Sequence, residues 1–285
     1  MSTSTRTVSL PVNVPSNAAA HSGQFQQFYG LLARELLKTF RNPFVIAITL
    51  VQPFMWLALF GGMMSQLPTS ELDSFLLHAP PGTSYLAFLL PGVLATGMMS
   101  IGMFGSMSTI QDKRFGFMKR ILITPTSKAT VYLSKALGSA VRGLVQIPVM
   151  LVAATAFGVH LQGSPFAWTA WILGLTLLGL GFSAFFLAVT SSSTDWQTPG
   201  VISNFITMPL MFASGAMFPS SIYPTWMKDI ADVNPVGFSA LLSRDVLTYG
   251  LFTSTDVTRL GYLAIFAVVM ILAGTALASK YLKVE

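Results

Sequence analysis

The sequence predicts an all-α polytopic membrane protein with six transmembrane helices, an N-terminal amphipathic interfacial helix, and short external helices between spans five and six. Three observations predict it. Six stretches are nearly free of charge and long enough to cross a bilayer, and the lysines and arginines between them fall almost entirely in alternate gaps. Of the 285 residues 53% are hydrophobic and only 9% charged, with a mean hydropathy of +0.66, whereas an average soluble domain carries about a quarter charged residues. A backbone in hydrocarbon must satisfy its own hydrogen bonds, so only helices or closed barrels span, and these runs lack the period-2 alternation of barrel strands.

Residues 1–24 are rich in Ser, Thr, Ala, Asn and Pro, carry one charge (Arg6) and hold no apolar run; they read as a flexible cytoplasmic tail rather than a cleaved signal. Residues 25–42 are amphipathic at helical spacing: Phe25, Phe28, Tyr29, Leu32, Leu36 and Phe40 share one arc, with Gln27, Arg34, Lys38 and Arg41 opposite. Such a helix lies flat in the cytoplasmic interface. Glu35 sits on its flank and decides nothing at this stage.

The membrane domain then occupies 43–285. Its spans are placed at about 44–64, 85–110, 144–159, 167–190, 199–218 and 260–279, at 1.5 Å per residue against roughly 30 Å of hydrocarbon. Spans three and four form a helical hairpin. Within span four, Ala170-x3-Gly174 and Gly179-x3-Ser183 allow a neighbouring helix to approach closely. Arg142 is the awkward charge, expensive at a bilayer centre, and is expected to snorkel at the interface. Residues 111–135 form a basic loop. Residues 219–258 carry Trp226, Ile230 and Val233, then Phe238, Leu241, Leu242 and Val246, at helical spacing between prolines, which gives two short external helices; re-entry into the membrane and a surface cap remain equal alternatives.

Thirteen Lys and Arg lie on the side of the termini and of the 111–135 loop, against Lys228, Arg244 and Arg259 on the other. By the positive-inside bias both termini are cytoplasmic. The net charge of +6 and pI of 9.7 follow from that topology rather than from a nucleic-acid surface. No cysteine is present, which removes disulfides and thiolate metal sites.

The chemistry of catalysis is missing. Gly138 to Gly143 has the glycine spacing of a phosphate-binding loop but continues Leu144-Val145 instead of Lys-Ser/Thr, and no His-Glu-x-x-His or Gly-x-Ser-x-Gly occurs. No catalytic, metal-binding or cofactor-binding residue is therefore expected. The spans hold no acid, only weaker polar groups such as Gln52, Gln146 and Asn204, so the coupling ions of secondary carriers find no carboxylate there. Energy for transport must come from elsewhere.

Four segments resemble the ABC-2 class of ABC exporter membrane subunits, in particular the daunorubicin-resistance-like exporters and their lipooligosaccharide- and polysaccharide-exporting relatives. RNPFVIAITLVQPFMWLALFGG resembles the entry to span one, with Arg41, Pro43, Gln52, Pro53, Trp56 and Gly61 in place. YLAFLLPGVLATGMM resembles span two, with Tyr85 and Pro91-Gly92. DKRFGFMKRILITPTSK is similar to the segment that family members press against their ATPase. SGAMFPSSIYPTWMKDIADVNPVGFSALLSRDVL, the most specific, matches the external signature through Gly215, Phe218, Pro219, Pro224, Trp226, Asn234, Pro235 and Arg244. Two departures stand out: Arg114, Lys119 and Arg120 replace acidic residues common in the third segment, and Phe238 stands where a tyrosine is usual.

The resemblance implies a permease subunit in the plasma (inner) membrane, working as a homodimer or with a related permease and docking two copies of a separate ATPase that uses ATP and Mg. Its docking residues would be Lys113, Arg114, Phe115, Gly116, Phe117, Met118, Lys119 and Arg120, with Thr124-Pro125 as a helix stop. Aromatic and methionine side chains among these cations can seat in a groove while the charges steer the partner. Gln52, Met55, Trp56, Met98, Asn204, Met208 and Met211 are candidates for the substrate pathway, methionine being adaptable to varied apolar cargo. A lipophilic or amphipathic cargo, drug-like or lipid-linked, is the expectation. The alternatives are glycan or lipooligosaccharide export, for which Trp56, Trp168 and Trp171 offer no continuous aromatic stripe, or an ATP-independent channel or carrier.

Overall fold

The structure is a computed structural model that describes residues 17–41, 43–64, 83–116, 126–193 and 197–281. Among these residues every regular element is helical: α1 (Asn17–Phe40), α2 (Pro43–Met64), α3 (Tyr85–Arg114), α4 (Lys128–Leu144), α5 (Gln146–Ala156), α6 (Pro165–Ser191), α7 (Gln197–Phe212), α8 (Thr225–Ala231), α9 (Pro235–Leu247) and α10 (Ser254–Tyr281). Three of the long helices open on serine caps. Ser84, Ser127 and Ser164 each accept from the backbone N–H three residues on, at 3.2, 3.0 and 3.3 Å, which satisfies one of the donors that a helix start leaves free. Four helices, 85–114, 128–156, 165–191 and 254–277, are long and apolar enough to cross a membrane.

The architecture is a bundle around α3. That helix is buried along nearly its whole length and packs against α2, α4, α6 and α9, while α10 covers α6 and leaves most of its own surface outward. Small residues let the pair α3 and α6 close up, as the motifs in span four anticipate: a Cβ on Gly102 would lie 2.9 Å from the Ser183 backbone nitrogen, and one on Gly179 2.5 Å from the Met98 Cε.

Span three differs from its prediction. The helix begins at Lys128, not near Leu144, so more than half of the span precedes its predicted start, and its first residues lie in what reads as a basic loop. Its turn at Val145 has a cause in Pro148, which cannot donate to the Leu144 carbonyl and crowds it. Three cations, Lys128, Lys135 and Arg142, argued against a span in the sequence; the fold buries Lys135 among carboxylates instead. Span five also differs: α7 stops at Phe212 and the chain runs irregularly through 213–219, where a continuous helix to Phe218 is predicted. The interfacial helix begins at Asn17, eight residues before its predicted start.

Candidate functional site

Two polar assemblies stand at opposite ends of the bundle. The first surrounds the candidate docking loop. Helix α3 closes with the Phe115 N–H donating to the Gln111 carbonyl (2.9 Å) and the Gly116 N–H to the Lys113 carbonyl (3.1 Å). Gly116 takes a φ of +67°, the left-handed turn that a side chain resists. Phe117, Met118, Lys119, Arg120, Thr124 and Pro125 lie outside the described residues. Of the docking candidates that are described, Arg114 is exposed and Phe115 is 83% exposed, both free to meet a partner.

Both flanks of this loop are pinned to α1 by charge. Arg34 Nη2 lies 3.2 Å from Asp112 and Arg34 Nη1 3.0 Å from Glu35, Lys38 stands 3.6 Å from Asp112, and Lys135 donates to Glu35 at 3.3 Å and to Asp112. Lys135, Glu35 and Asp112 are only 7%, 5% and 6% exposed at their side chains. Removing one member of such a buried pair leaves an uncompensated charge, a loss of about 3–5 kcal/mol. Asp112 lies near the end of α3 and Lys135 two turns into α4, so the cluster joins the helices on both sides of the Gly116 turn to the interfacial helix. Arg142 extends the seam: its Nε donates to Thr39 Oγ1 at 2.8 Å. It sits inside a helix facing α1 rather than snorkelling from a span end.

Helix α1 packs one side on α4 and leaves the other open. Phe25, Tyr29 and Phe40 are exposed, whereas Glu35 and Thr39 are buried against α4. Glu35, placed on the flank from periodicity, is the pivot of the polar face. The one signal available was that it is the only acid in the first seventy residues.

Lys113 behaves unlike its neighbours. It is half-buried, and its Nζ donates to the carbonyls of Ser191 (2.7 Å), Ser193 (3.2 Å) and Thr190 (3.5 Å). These are the last carbonyls of α6 and one in the turn after it, where a helix end leaves carbonyls short of donors and a cation is favoured.

The second assembly, at the other end, is built from the external signature. Pro91 within α3 cannot bond back to Ala87, and the carbonyls of that turn find donors on and just beyond α9: Thr248 Oγ1 to Ala87 (2.9 Å) and Arg244 Nε to Phe88 (3.1 Å). Arg244 Nη2 also donates to Gly215 (2.9 Å) and Ala216 (2.7 Å), and its guanidinium lies 3.7 Å from the Phe88 ring centroid. Burial pulls this group down to about 10, so it stays protonated at neutral pH. Asn234 caps α9 and donates to the Leu210 carbonyl (2.8 Å), Tyr223 donates to Phe212 (2.6 Å), and Tyr85 to Met217 (2.9 Å).

The end of α7 is thus held by Asn234 and Tyr223, and the irregular stretch after it by Arg244 and Tyr85. Irregular backbone at such a position survives only inside protein that completes its hydrogen bonds. A Cβ on Gly92 would overlap the Ala216 carbonyl, which explains the Pro-Gly pair. Gly215 supplies a φ of +69°, Pro235 the first position of α9, and Phe218 packs edge-on to Phe60 at 5.8 Å. Pro219 is buried, Pro224 leads into α8, and Trp226 is 64% exposed, outside the lattice. Phe238 stacks on Tyr262 with centroids 5.1 Å apart, a contact that needs no hydroxyl. Tyr223 and Thr248 are the members that sequence reasoning missed, since a hydroxyl's partner is a carbonyl that no pattern reveals.

The pathway candidates divide. Gln52, Met55, Asn204 and Met208 lie on the outer surface of α2 and α7, and Trp56 is half-buried against Phe60. Met98 and Met211 are buried, Met98 as a wedge between Gly143 and Gly179.

Comparison with known proteins agrees with this geometry. The ABC-2 type transporter family model matches residues 26–245, which runs from α1 to Asp245 and takes in both polar assemblies. The ycf38 protein of Cyanophora paradoxa is 26% identical over 272 residues, covering 90% of this chain and 89% of its own. The daunorubicin resistance ABC transporter permease protein DrrB1 of Streptomyces coeruleorubidus is 24% identical over 203 residues (71% and 67%). Nodulation protein J of Rhizobium leguminosarum bv. viciae is 27% identical over 207 residues (70% and 77%). With its bundle of apolar helices, its pinned basic loop and its carbonyl-binding signature, the chain belongs to the ABC-2 type transporter family of membrane permeases.

Proposed function

We propose that this permease is the membrane-spanning half of an ATP-driven exporter, with ATP and Mg handled by a separate ATPase subunit that docks, in two copies, on the 111–135 segment of a permease dimer. The observation that carries this reading is the charge cluster in which Glu35, Asp112 and Lys135 are buried and Arg34 and Lys38 close its outer edge. A solvent loop needs no such anchorage, but a loop that receives a push does, because force applied to a slack hinge moves nothing else. The exposed Arg114 and Phe115, with Phe117, Met118, Lys119 and Arg120 following in sequence, supply an apolar contact among charges that steer.

In this reading the chain crosses the plasma membrane six times, α2 and α7 completing the set of four long apolar helices, with both termini and α1 on the cytoplasmic side and α8 and α9 outside. Two permease copies, identical or closely related, enclose the path with α2 and α7, where Gln52, Met55, Asn204 and Met208 meet the cargo. Exposed Phe54, Leu59 and Phe205 on the same helices favour a lipophilic or amphipathic cargo taken from the cytoplasm or inner leaflet, and one relative is named for resistance to daunorubicin.

The test is reconstitution of the full chain with its ATPase in proteoliposomes. Lys119→Glu with Arg120→Glu should abolish permease-stimulated ATP turnover while the chain still inserts; unchanged turnover would overturn the docking segment.

A further inference from the structure

We infer that Lys113 is a positioning residue rather than a docking residue: it ties the entry of the loop to the end of α6, and through it to α7. The inference rests on the docking reading above and deepens it, since it names the route by which a push on the loop leaves the loop.

The argument begins with direction. Asp112 and Lys113 are adjacent at the end of α3, yet their side chains serve different neighbours. Asp112 reaches Arg34, Lys38 and Lys135, on α1 and α4. Lys113 reaches away from that cluster to the carbonyls of Thr190, Ser191 and Ser193, on α6 and the turn after it. An ammonium that gathers these carbonyls cannot at the same time present its charge to a partner's surface. The sequence alone counts Lys113 as one more cation of the basic run; its geometry removes it from that set.

The second step is the position of the grip. α6 ends at Ser191 and α7 begins at Gln197, so Lys113 holds the last two carbonyls of α6 and, at Ser193, one in the turn that leads towards α7. α6 itself cannot easily respond. It is locked along α3 by small residues and by the Thr190 Oγ1 bond to Ser106 Oγ at 3.1 Å. α7 has less to hold it next to this turn: Val201, Phe205 and Met208 face outward and few of its residues are buried, while the bonds from Asn234 and Tyr223 fix only its far end, at Leu210 and Phe212. A displacement of α3's end carried by Lys113 therefore meets a fixed helix on one side of the turn and a loosely packed one on the other. The looser one moves. Charge-assisted bonds to carbonyls suit this link, since they are stronger than neutral ones and survive a small change of angle at a three-donor ammonium.

The absence of cysteine makes the test clean. Spin labels at Val201→Cys on α7 and Leu277→Cys on α10 report the separation of these helices in nanodiscs, with the ATPase added, before and after ATP. Lys113→Met should bind the ATPase with unchanged affinity, lose the ATP-driven change in label separation, and lower stimulated turnover at least about fivefold. Lys113→Arg, which keeps a donor, should retain most of both. If Lys113→Met accumulates poorly, Lys113→Gln is judged on the same outcomes. Weakened ATPase binding in these variants would return Lys113 to the docking set and overturn the inference, as would an unaltered change in separation. Failure of the unsubstituted permease to bind any ATPase would instead sink the docking reading, and the inference with it.

Discussion

At the scale of single residues, Arg244 and Glu35 show what a sequence can and cannot disclose. Arg244 was legible through its place in a family signature, but its work was not, because the carbonyls it satisfies belong to positions 88, 215 and 216, distant in the chain or carrying no side-chain code. Arg244→Met should lower stability by about 3 kcal/mol or more, since it strands buried carbonyls that a charged donor now serves. Lys should restore only part, having no planar fork to reach two directions at once. Thermal unfolding of the purified protein checks both, and equal melting temperatures for wild type and Arg244→Met would refute the lattice. Glu35 was legible only as an oddity of composition. Its burial depends on Lys135, one hundred residues later, and no periodicity within α1 encodes that.

At the scale of elements, the apolar runs fall within α2, α3, α6 and α10, up to six residues inside their ends, because a helix surrounded by hydrocarbon or by other apolar helices must itself be apolar. α4 escaped the same reasoning for a physical cause: its charges are neutralised by other helices, so its own composition understates how deeply it is buried. α7 was predicted too long because the sequence shows apolar residues through Phe218 and hides the donors that let the helix end at Phe212. The ionic seam between α1, α3 and α4 predicts strong coupling. Lys135→Met should destabilise by about 3–5 kcal/mol, and pairing it with Asp112→Asn should cost less than the sum of the singles, because the second change removes the charge that the first left stranded. Denaturation of the four proteins in a double-mutant cycle measures it, and strict additivity would mean the seam is only proximity. The loop's first turn makes its own prediction. Gly116→Val forces a β-branched side chain into a left-handed backbone, a strain of about 1–2 kcal/mol, and should impair ATPase binding more than overall stability, as comparison of co-purification with melting temperature will tell.

At the scale of the whole molecule, the proposed function makes the chain a transmission driven by a separate engine. Purified alone it should hydrolyse no ATP, since the only glycine pattern that approaches a phosphate loop lacks its lysine; turnover above that of protein-free vesicles would count against the reading. Its affinity for the ATPase should fall as ionic strength rises, because Arg114, Lys119 and Arg120 attract an acidic surface through charges that salt screens; binding isotherms at low and high salt decide it. The membrane class was plain from composition and the family from four segments. The mechanical arrangement, in which one end of the bundle is held by charges and the other by carbonyls, came only with the coordinates.

The long sequence separations within the ionic seam bear on how the protein is made. Glu35 and Asp112 precede Lys135 by 100 and 23 positions, and chains are synthesised from the N-terminus. In the six-span arrangement proposed above, both carboxylates have left the ribosome before the lysine does, so α4 enters the bilayer with the counter-charges for Lys135 already synthesised.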